Sequence, residues 1–385
     1  MRKIISLYIY LLFVNCFGAT ISGRVTDAST GLPAAYVSVF ADNGAIITAC
    51  NAKGEFVISD ENASKTLIFS HIGYQTDTVK AEASYFLDIK LIPAVNMLPE
   101  VNFTYNYAQD LVEKATEKLF KGKNSVYYMN AYYKNFNQVN GCPTEFQEIV
   151  FQTHGNAYQL WGGRALEGRY FYSKGLTSKF NPDLSNNALF GNFLVHYNSD
   201  KKPITTFDTS FTASITGFIK YEKSIVAIVV NKHRKSNYER ILFIDTLNHR
   251  LYKHKEIDFG NPNFPFFVRN AYIHKTREIQ FDWQNDTTAY IRDIVCDNTL
   301  KCTFFFKNYV VKMNPYAVFY NYTKVCPEGF KPIDQYNRWS DRRKIDSTAV
   351  KPDFWKNFKL VKYTTKEDSL IKVLLSKRTA GRYSE

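Results

Sequence analysis

Residues 20–92 are cut by turn residues into seven short runs: "TISGRVT", "AYVSVF", "AIITAC", "GEFVIS", "TLIFSH", "DTVKA" and "YFLDIKL". Each is too short for a stable helix, and several alternate apolar with polar residues, as half-buried strands do. "DASTGLPA" and "NAKG" supply the Gly, Pro, Asn and Asp that turns need. Short strands at this spacing close into a small β-sandwich. The run "LIFSHIGYQT" within it poses a choice between a chemical site at His71 and the corner of a fold. His71 has no acidic or His partner nearby in sequence, so we read a strand end, with Gly73 allowing the bend and Tyr74 closing the edge.

The order of these pieces carries a resemblance. Gly23, Val25 and Asp27 form G-x-V-x-D, and Gly31 and Pro33 a Gly-x-Pro turn. Val37 and Val39 form a V-x-V strand, Asn51, Gly54 and Phe56 an N-x-x-G-x-F hairpin, and Ile72, Gly73 and Tyr74 an I-G-Y strand end. In this the stretch resembles the carboxypeptidase-like regulatory domain family. The resemblance implies a seven-strand transthyretin-like sandwich over residues 19–92, used as a docking or assembly module. It also points to exported forms of Bacteroidetes type, where such domains precede outer-membrane receptors or periplasmic domains.

Upstream, Arg2 and Lys3 precede an apolar run from Ile4 to Val14, with Cys16 and Gly18 as small residues before Ala19. Residues 1–18 are therefore read as a secretory signal. A lipid-anchored reading would use Cys16 at +1, but Asn15 stands where a small residue belongs. The expected location is exported: periplasmic, outer-membrane-associated or at the cell surface.

Pro93 and Pro99 mark residues 93–105 as a linker. "NYAQDLVEKATEKLFKGK" then reads as an amphipathic helix, with Asn106 and Gln109 as a capping box and Leu111, Ala115 and Leu119 on one stripe. From 126 to about 325, strand runs separated by short turns predict an antiparallel meander. "RILFIDTLNHRLYKHKEI" resembles the hairpins of lipoprotein-carrier-like half-barrels, which implies a curved sheet with a concave apolar face. Residues 181–203 are irregular and read as a long loop. The larger domain is assigned to 106–333. Residues 334–385 form a basic C-terminal segment with a short helix beginning near Lys366. The fold class is thus mainly β: a sandwich plus a larger antiparallel, half-barrel-like sheet with few helices.

Charge divides the chain in the same way. Residues 19–92 carry a net −3, and residues 93–385 a net +14. "NKHRKSNYERILFIDTLNHRLYKHK" interleaves basic and aromatic residues as a nucleic-acid groove would, but no nucleic-acid motif accompanies it. A solvated basic strand face is the simpler reading, and no nucleic-acid partner is expected.

No catalytic, metal or cofactor residue is assigned. HExxH, G-x-S-x-G, a P-loop and a G-x-G-x-x-G loop are all absent from the sequence. His249 and His254 are the closest His pair, but Lys and Arg surround them and disfavour a cation. Cys142 and His154 would make a nucleophile pair only if the fold brought them together. Cys296 and Cys302 bracket "DNTLK", which reads as a turn, and could face each other as a disulfide or remain thiols. In "YQLWGGRALEGRYFY", Tyr170 and Tyr172 share one strand face, and a Gly162–Gly163 turn would expose Trp161. These three aromatics are the candidate ligand-binding residues, for a sugar or a lipid. The expectation is a non-enzymatic binding or scaffold protein of the bacterial envelope, with an envelope protein or an apolar or glycan ligand as partner. The alternatives are a carrier holding a lipid or other apolar ligand in its concave sheet, and a peptidase-associated protein or an enzyme of unrecognised type.

Overall fold

The computed structural model describes residues 21–58, 66–81, 86–94, 96–97, 107–157, 160–173, 210–260, 268–304, 306–330, 341–349, 351, 353–358, 360–376 and 379–382. The leader at 1–18, most of the 93–105 linker, Asn106 of the capping box and the 181–203 stretch lie outside these residues.

All seven N-terminal strands form: β1 (Ile21–Asp27), β2 (Ser38–Ala41), β3 (Ile46–Ala49), β4 (Glu55–Ile58), β5 (Thr66–Ser70), β6 (Asp77–Lys80) and β7 (Phe86–Leu91). They make two sheets, β4-β1-β7 and β3-β2-β5-β6, with β1 and β7 parallel. Val25, Val37, Val39, Phe56, Phe69 and Leu91 are fully buried between them, and the Phe56 and Phe69 rings meet edge-on at 5.3 Å. Two of the motif glycines have steric reasons. A Cβ on Gly23 would lie 2.3 Å from the Leu87 carbonyl oxygen and 2.5 Å from the Phe56 ring. Gly54 turns with φ +71°, and a Cβ there would lie 2.2 Å from the Val25 carbonyl oxygen. Gly54→Ala therefore combines a left-handed backbone with a backbone clash, and is expected to cost about 3 kcal/mol. Urea unfolding checks this; an unchanged midpoint would contradict it.

The second domain is one antiparallel curved sheet. Its strands are β8 (Asn96–Met97), β9 (Tyr127–Val139), β10 (Cys142–Gly155), β11 (Leu160–Ser173), β12 (Phe211–Tyr221), β13 (Ser224–His233), β14 (Asn237–Asp245), β15 (Leu251–Gly260), β16 (Val268–Trp283), β17 (Ala289–Phe304), β18 (Lys307–Met313), β19 (Tyr316–Thr323) and β20 (Thr379–Arg382). The order is β20-β11-β10-β9-β18-β17-β16-β15-β14-β13-β12-β8, with β19 also between β9 and β17. β18 and β19 are one rank broken at Asn314–Pro315: Lys307 pairs with Phe304 and Val318 with Asp293 along the same neighbour. Pro315 has no N–H to give the ladder, so the rank breaks there. Its carbonyl still accepts from the Cys296 N–H at 2.8 Å.

The register corrects two expectations. "DNTLK" is not a turn: β17 runs through it, so Cys296 and Cys302 stand on one strand, about 20 Å apart at strand rise. Both are buried and neither is in a disulfide. Gly162–Gly163 is likewise inside β11 rather than a turn. β12 and β19 were not anticipated, and Leu160–Trp161 and Arg169–Ser173, separated by "GGRALEG", belong to the single strand β11 with two bulges against β10.

Helix α1 (Tyr107–Lys121) lies on the inner face of this sheet, against β12, β14 and β15. Leu111, Val112 and Leu119 pack there with Tyr133, Phe151, Val229, Leu242, Ile279 and Phe319. Burying those three helix side chains is worth roughly 6 kcal/mol. The concave apolar surface expected for a lipid carrier is occupied along this stretch by α1. The described parts of the basic C-terminal segment pack on both faces of this sheet. Helix α2 (Asp341–Asp346) packs on the inner face over β10 and β11. Helix α3 (Phe354–Asn357) and helix α4 (Thr365–Ser376) lie on the outer face, where Leu374 meets Phe136, Phe146 and Phe171. α4 starts at a capping box: the Thr364 hydroxyl accepts from the Glu367 N–H at 3.1 Å, and Glu367 accepts from the Thr364 N–H at 2.7 Å.

The sandwich packs on the outer face of the large sheet. The Ala49 N–H and the Thr48 hydroxyl both donate to the Leu360 carbonyl, at 3.3 and 2.8 Å, and Ala49 bridges Val361. The Tyr36 and Tyr316 rings lie 5.1 Å apart. Ile72 and Ala94 pack with Ile219, Tyr221 and Val226, and Asn96–Met97 of the linker pair with β12 at the sheet edge.

Candidate functional site

Docking of the sandwich leaves a cleft of about 680 Å³ between the two domains. One wall is the β2–β3 hairpin and β5, with Phe40, Asn43, Ile46 and Ile68. The hairpin is held by the Asn43 side chain, whose Oδ1 accepts from the Ala45 N–H at 3.0 Å, and by Gly44 at φ +80°. The opposite wall comes from the large sheet: Tyr221, Tyr252, Asp282, Tyr290, Tyr320 and Tyr322. Tyr320 and Tyr322 come from the end of β19, where Asn321 between them turns at φ +56° and the pairing with β9 shifts register.

The aromatic rings are locked against one another. Tyr290 stacks on Tyr322 at 4.4 Å, and Tyr127 meets Tyr290 edge-on at 4.6 Å. Tyr221 and Tyr252 meet at 5.1 Å. The Tyr322 hydroxyl reaches the Ile291 carbonyl at 2.7 Å, and Tyr221 shares a hydrogen bond with Ser70 of the sandwich at 3.0 Å. Burial holds the Tyr320 and Tyr322 phenols above their ordinary pKa, so both stay neutral.

Beneath the cleft lies an ionic network. Arg292 is 3% exposed. It pairs with Asp282 at 3.2 Å and Asp293 at 3.1 Å, and donates to the Gln280 side-chain oxygen. Burial opposes its charge, but the two carboxylates outweigh that and hold its pKa above the ordinary value. Burial raises the carboxyl pKa of Asp282 and Asp293, against the pull of Arg292. The half-buried Asp282 spends Oδ1 on Arg292 and also lines the cleft. His71, just past β5, enters this same interface. Burial, with Lys253 and Arg292 nearby, pushes its pKa down to about 3, so it is neutral. Its Nδ1 accepts from the Gly73 N–H at 3.1 Å, and the Tyr74 N–H closes a turn on the His71 carbonyl at 2.9 Å.

A smaller hollow of about 200 Å³ lies beside Val57 of the sandwich. There Arg169 pairs with Glu148 at 2.7 Å and covers the Trp355 ring at 4.6 Å.

The sequence candidates fall elsewhere. Tyr170 and Tyr172 do share a face and stack at 6.2 Å, on the inner side of β11. They are covered by α2: the Arg342 guanidinium lies 3.8 Å from the Tyr172 ring centre, and the Tyr170 hydroxyl donates to Asp346 at 3.1 Å. Trp161 stands on the same strand, opposite His154; its side chain lies outside the described residues. Cys142 and His154 sit at the two ends of β10, about 40 Å apart at strand rise, so the fold does not bring them together. The basic hairpins are partly neutralised across strands: Lys253 and Lys255 pair with Glu278, and Arg277 with Glu256. Among the described residues no group of three or more His, Cys, Asp or Glu is placed to hold a metal ion, and no helix is long and apolar enough to cross a membrane. The cleft itself had one sequence signal, the tyrosine-rich "YAVFYNY"; its facing wall lies more than 200 residues earlier in the chain.

Residues 21–102 match the family model of the CarboxypepD_reg-like domain. A search of curated proteins finds no match. Among solved structures, the chain is similar to a LolA superfamily protein from Nitrosomonas europaea, at 11% identity and a TM-score of 0.23, covering 57% of this chain and 95% of that one. It is also similar to a DUF1329 family protein from Desulfovibrio piger, at 8% identity and a TM-score of 0.26, covering 60% and 96%.

Proposed function

We propose that this chain, whose residues 21–102 match the CarboxypepD_reg-like domain, is an exported, non-enzymatic binding protein of the bacterial envelope. Its sandwich serves as a docking module within its own chain, and by docking it completes a ligand cleft. The observation that carries this reading is the cleft itself, built from both domains and walled by aromatic rings that neighbouring rings hold in place. Such preformed, aromatic-lined concavities with a few polar groups are where small ligands bind. Asp282 beside it is committed to Arg292, which favours holding a ligand over turning one over. The leader-like residues 1–18 support export to the periplasm or the outer membrane.

The test is native mass spectrometry of the chain purified from the cell-envelope fraction, beside Ile68→Arg, which fills the cleft from the sandwich side. The wild-type chain is expected to carry an added mass that the variant lacks, with both melting alike. Recovery in the cytosol, or an added mass identical in both chains, would overturn the reading.

A further inference from the structure

The lining of the interdomain cleft is specific enough to name a ligand class, given its reading as a binding site. We infer that it takes a short, neutral oligosaccharide. Three features point there together. First, the rings are tyrosines in fixed tilts, Tyr290 on Tyr322 at 4.4 Å and Tyr221 against Tyr252 at 5.1 Å, and each lines the cleft. The C–H face of a pyranose packs on such a ring, and the Tyr221 and Tyr322 hydroxyls, held by Ser70 and the Ile291 carbonyl, fix the ring tilts. Second, planar polar side chains stand around the rings: Asn43 and Gln284 are exposed at the rim, and Asp282 is half-buried with Oδ1 on Arg292. Amides and carboxylates present paired groups that match neighbouring hydroxyls on one sugar ring. Third, carboxylates stand beside the cations of the cleft and also line it. Arg292 lies between Asp282 and Asp293, and Arg250 lies 3.6 Å from Asp286.

That third feature sets aside an anion, which would meet the Asp282 and Glu222 carboxylates of the lining. An acyl chain would need an enclosed apolar lining, and Asn43, Glu222, Asp282, Gln284 and Asn321 interrupt this one. A peptide strand would need an open sheet edge. Here the β3 edge is bridged by Val361 at Ala49. The volume lies within the roughly 300–1,000 Å³ of small-ligand sites, enough for a short glycan rather than a polymer end to end.

The test is calorimetric titration of the full chain with neutral gluco-, xylo-, manno- and galacto-oligosaccharides, followed by the wall variants Phe40→Ala and Gln284→Ala. At least one series is expected to bind, and each variant to weaken it about tenfold or more at an unchanged melting temperature. Gln284 is exposed, so its variant tests the site even where Phe40→Ala lowers stability. Failure of every neutral series to bind overturns the inference, as does binding that both variants leave unchanged. Fatty acid or phospholipid vesicles binding instead, and lost in Ile68→Arg, would overturn the sugar while leaving the cleft as a binding site. A native-mass adduct identical in wild type and Ile68→Arg would overturn the cleft reading as well.

Discussion

Arg292→Met is expected to lower the unfolding free energy by about 4 kcal/mol, among the largest effects of any single substitution outside the apolar core. Arg292 holds two carboxylates and an amide beneath the interdomain cleft, and it is 3% exposed. Methionine fills much of the same space, so packing is largely kept. What is lost is the counter-charge to Asp293, which is 1% exposed, and to Asp282. A buried carboxylate without its partner must take up a proton or bring in water, and both cost stability. The variant should therefore regain stability as the pH is lowered through the range where those carboxyls titrate. Arg292→Met combined with Asp293→Asn should recover part of the loss, because the uncompensated charge is then gone. Urea unfolding of the three chains at neutral pH checks this. A single variant within about 1 kcal/mol of wild type would mean that the network does not stabilise the cleft floor.

The wild-type chain should show the opposite pH trend. His254 is 2% exposed, and its pKa is pushed down to about 4. Burial is the main cause; Arg240 and Arg277 add to it, and Glu256 at 3.6 Å opposes it. His71 behaves alike in the domain interface, facing Lys253 and Arg292 with Glu278 opposing them. A folded-state pKa below the unfolded value means that the unfolded chain takes up the proton first as the pH falls. Stability is thus full above about pH 6.5 and declines from there toward pH 4. His254 alone accounts for about 3 kcal/mol across that window, and His71 adds in the same direction. Unfolding midpoints measured at pH 7 and pH 4.5 should fall for wild type and fall less for His254→Gln. Equal falls in both chains would remove His254 as the cause.

The sandwich was legible because its constraints are local. Gly23 and Gly54 stand where a Cβ would strike the backbone, and the alternating valines of "AYVSVF" mark the faces. Helix α1 was legible for the same reason, since its stripe of Leu111, Ala115 and Leu119 repeats at helical spacing. The large sheet was read as a meander, but its strand ends were not. Asn298, Thr299 and Lys301 read as turn residues, yet β18 and β16 pair with them on both sides and draw them into β17. Tertiary pairing overrides local turn preference there. Tyr170 and Tyr172 show the limit for sites. Alternation predicted their shared face correctly, but not that Arg342, some 170 residues later, would cover it. The cleft was invisible for a related reason: no short stretch contains it, and only docking of residues 36–94 against the outer face creates it.

Every wall of that cleft depends on the sandwich sitting on the large sheet, and a cross-link tests that placement most directly. Ala49 and Val361 form a bridge between the two, which sets their backbones at the spacing of neighbouring strands, within disulfide reach. The double variant Ala49→Cys, Val361→Cys, oxidised beside the wild-type chain, should form an intramolecular disulfide that survives non-reducing electrophoresis after proteolysis and should raise the melting temperature. A folded double variant that forms no such cross-link would contradict the docked arrangement, and with it the cleft.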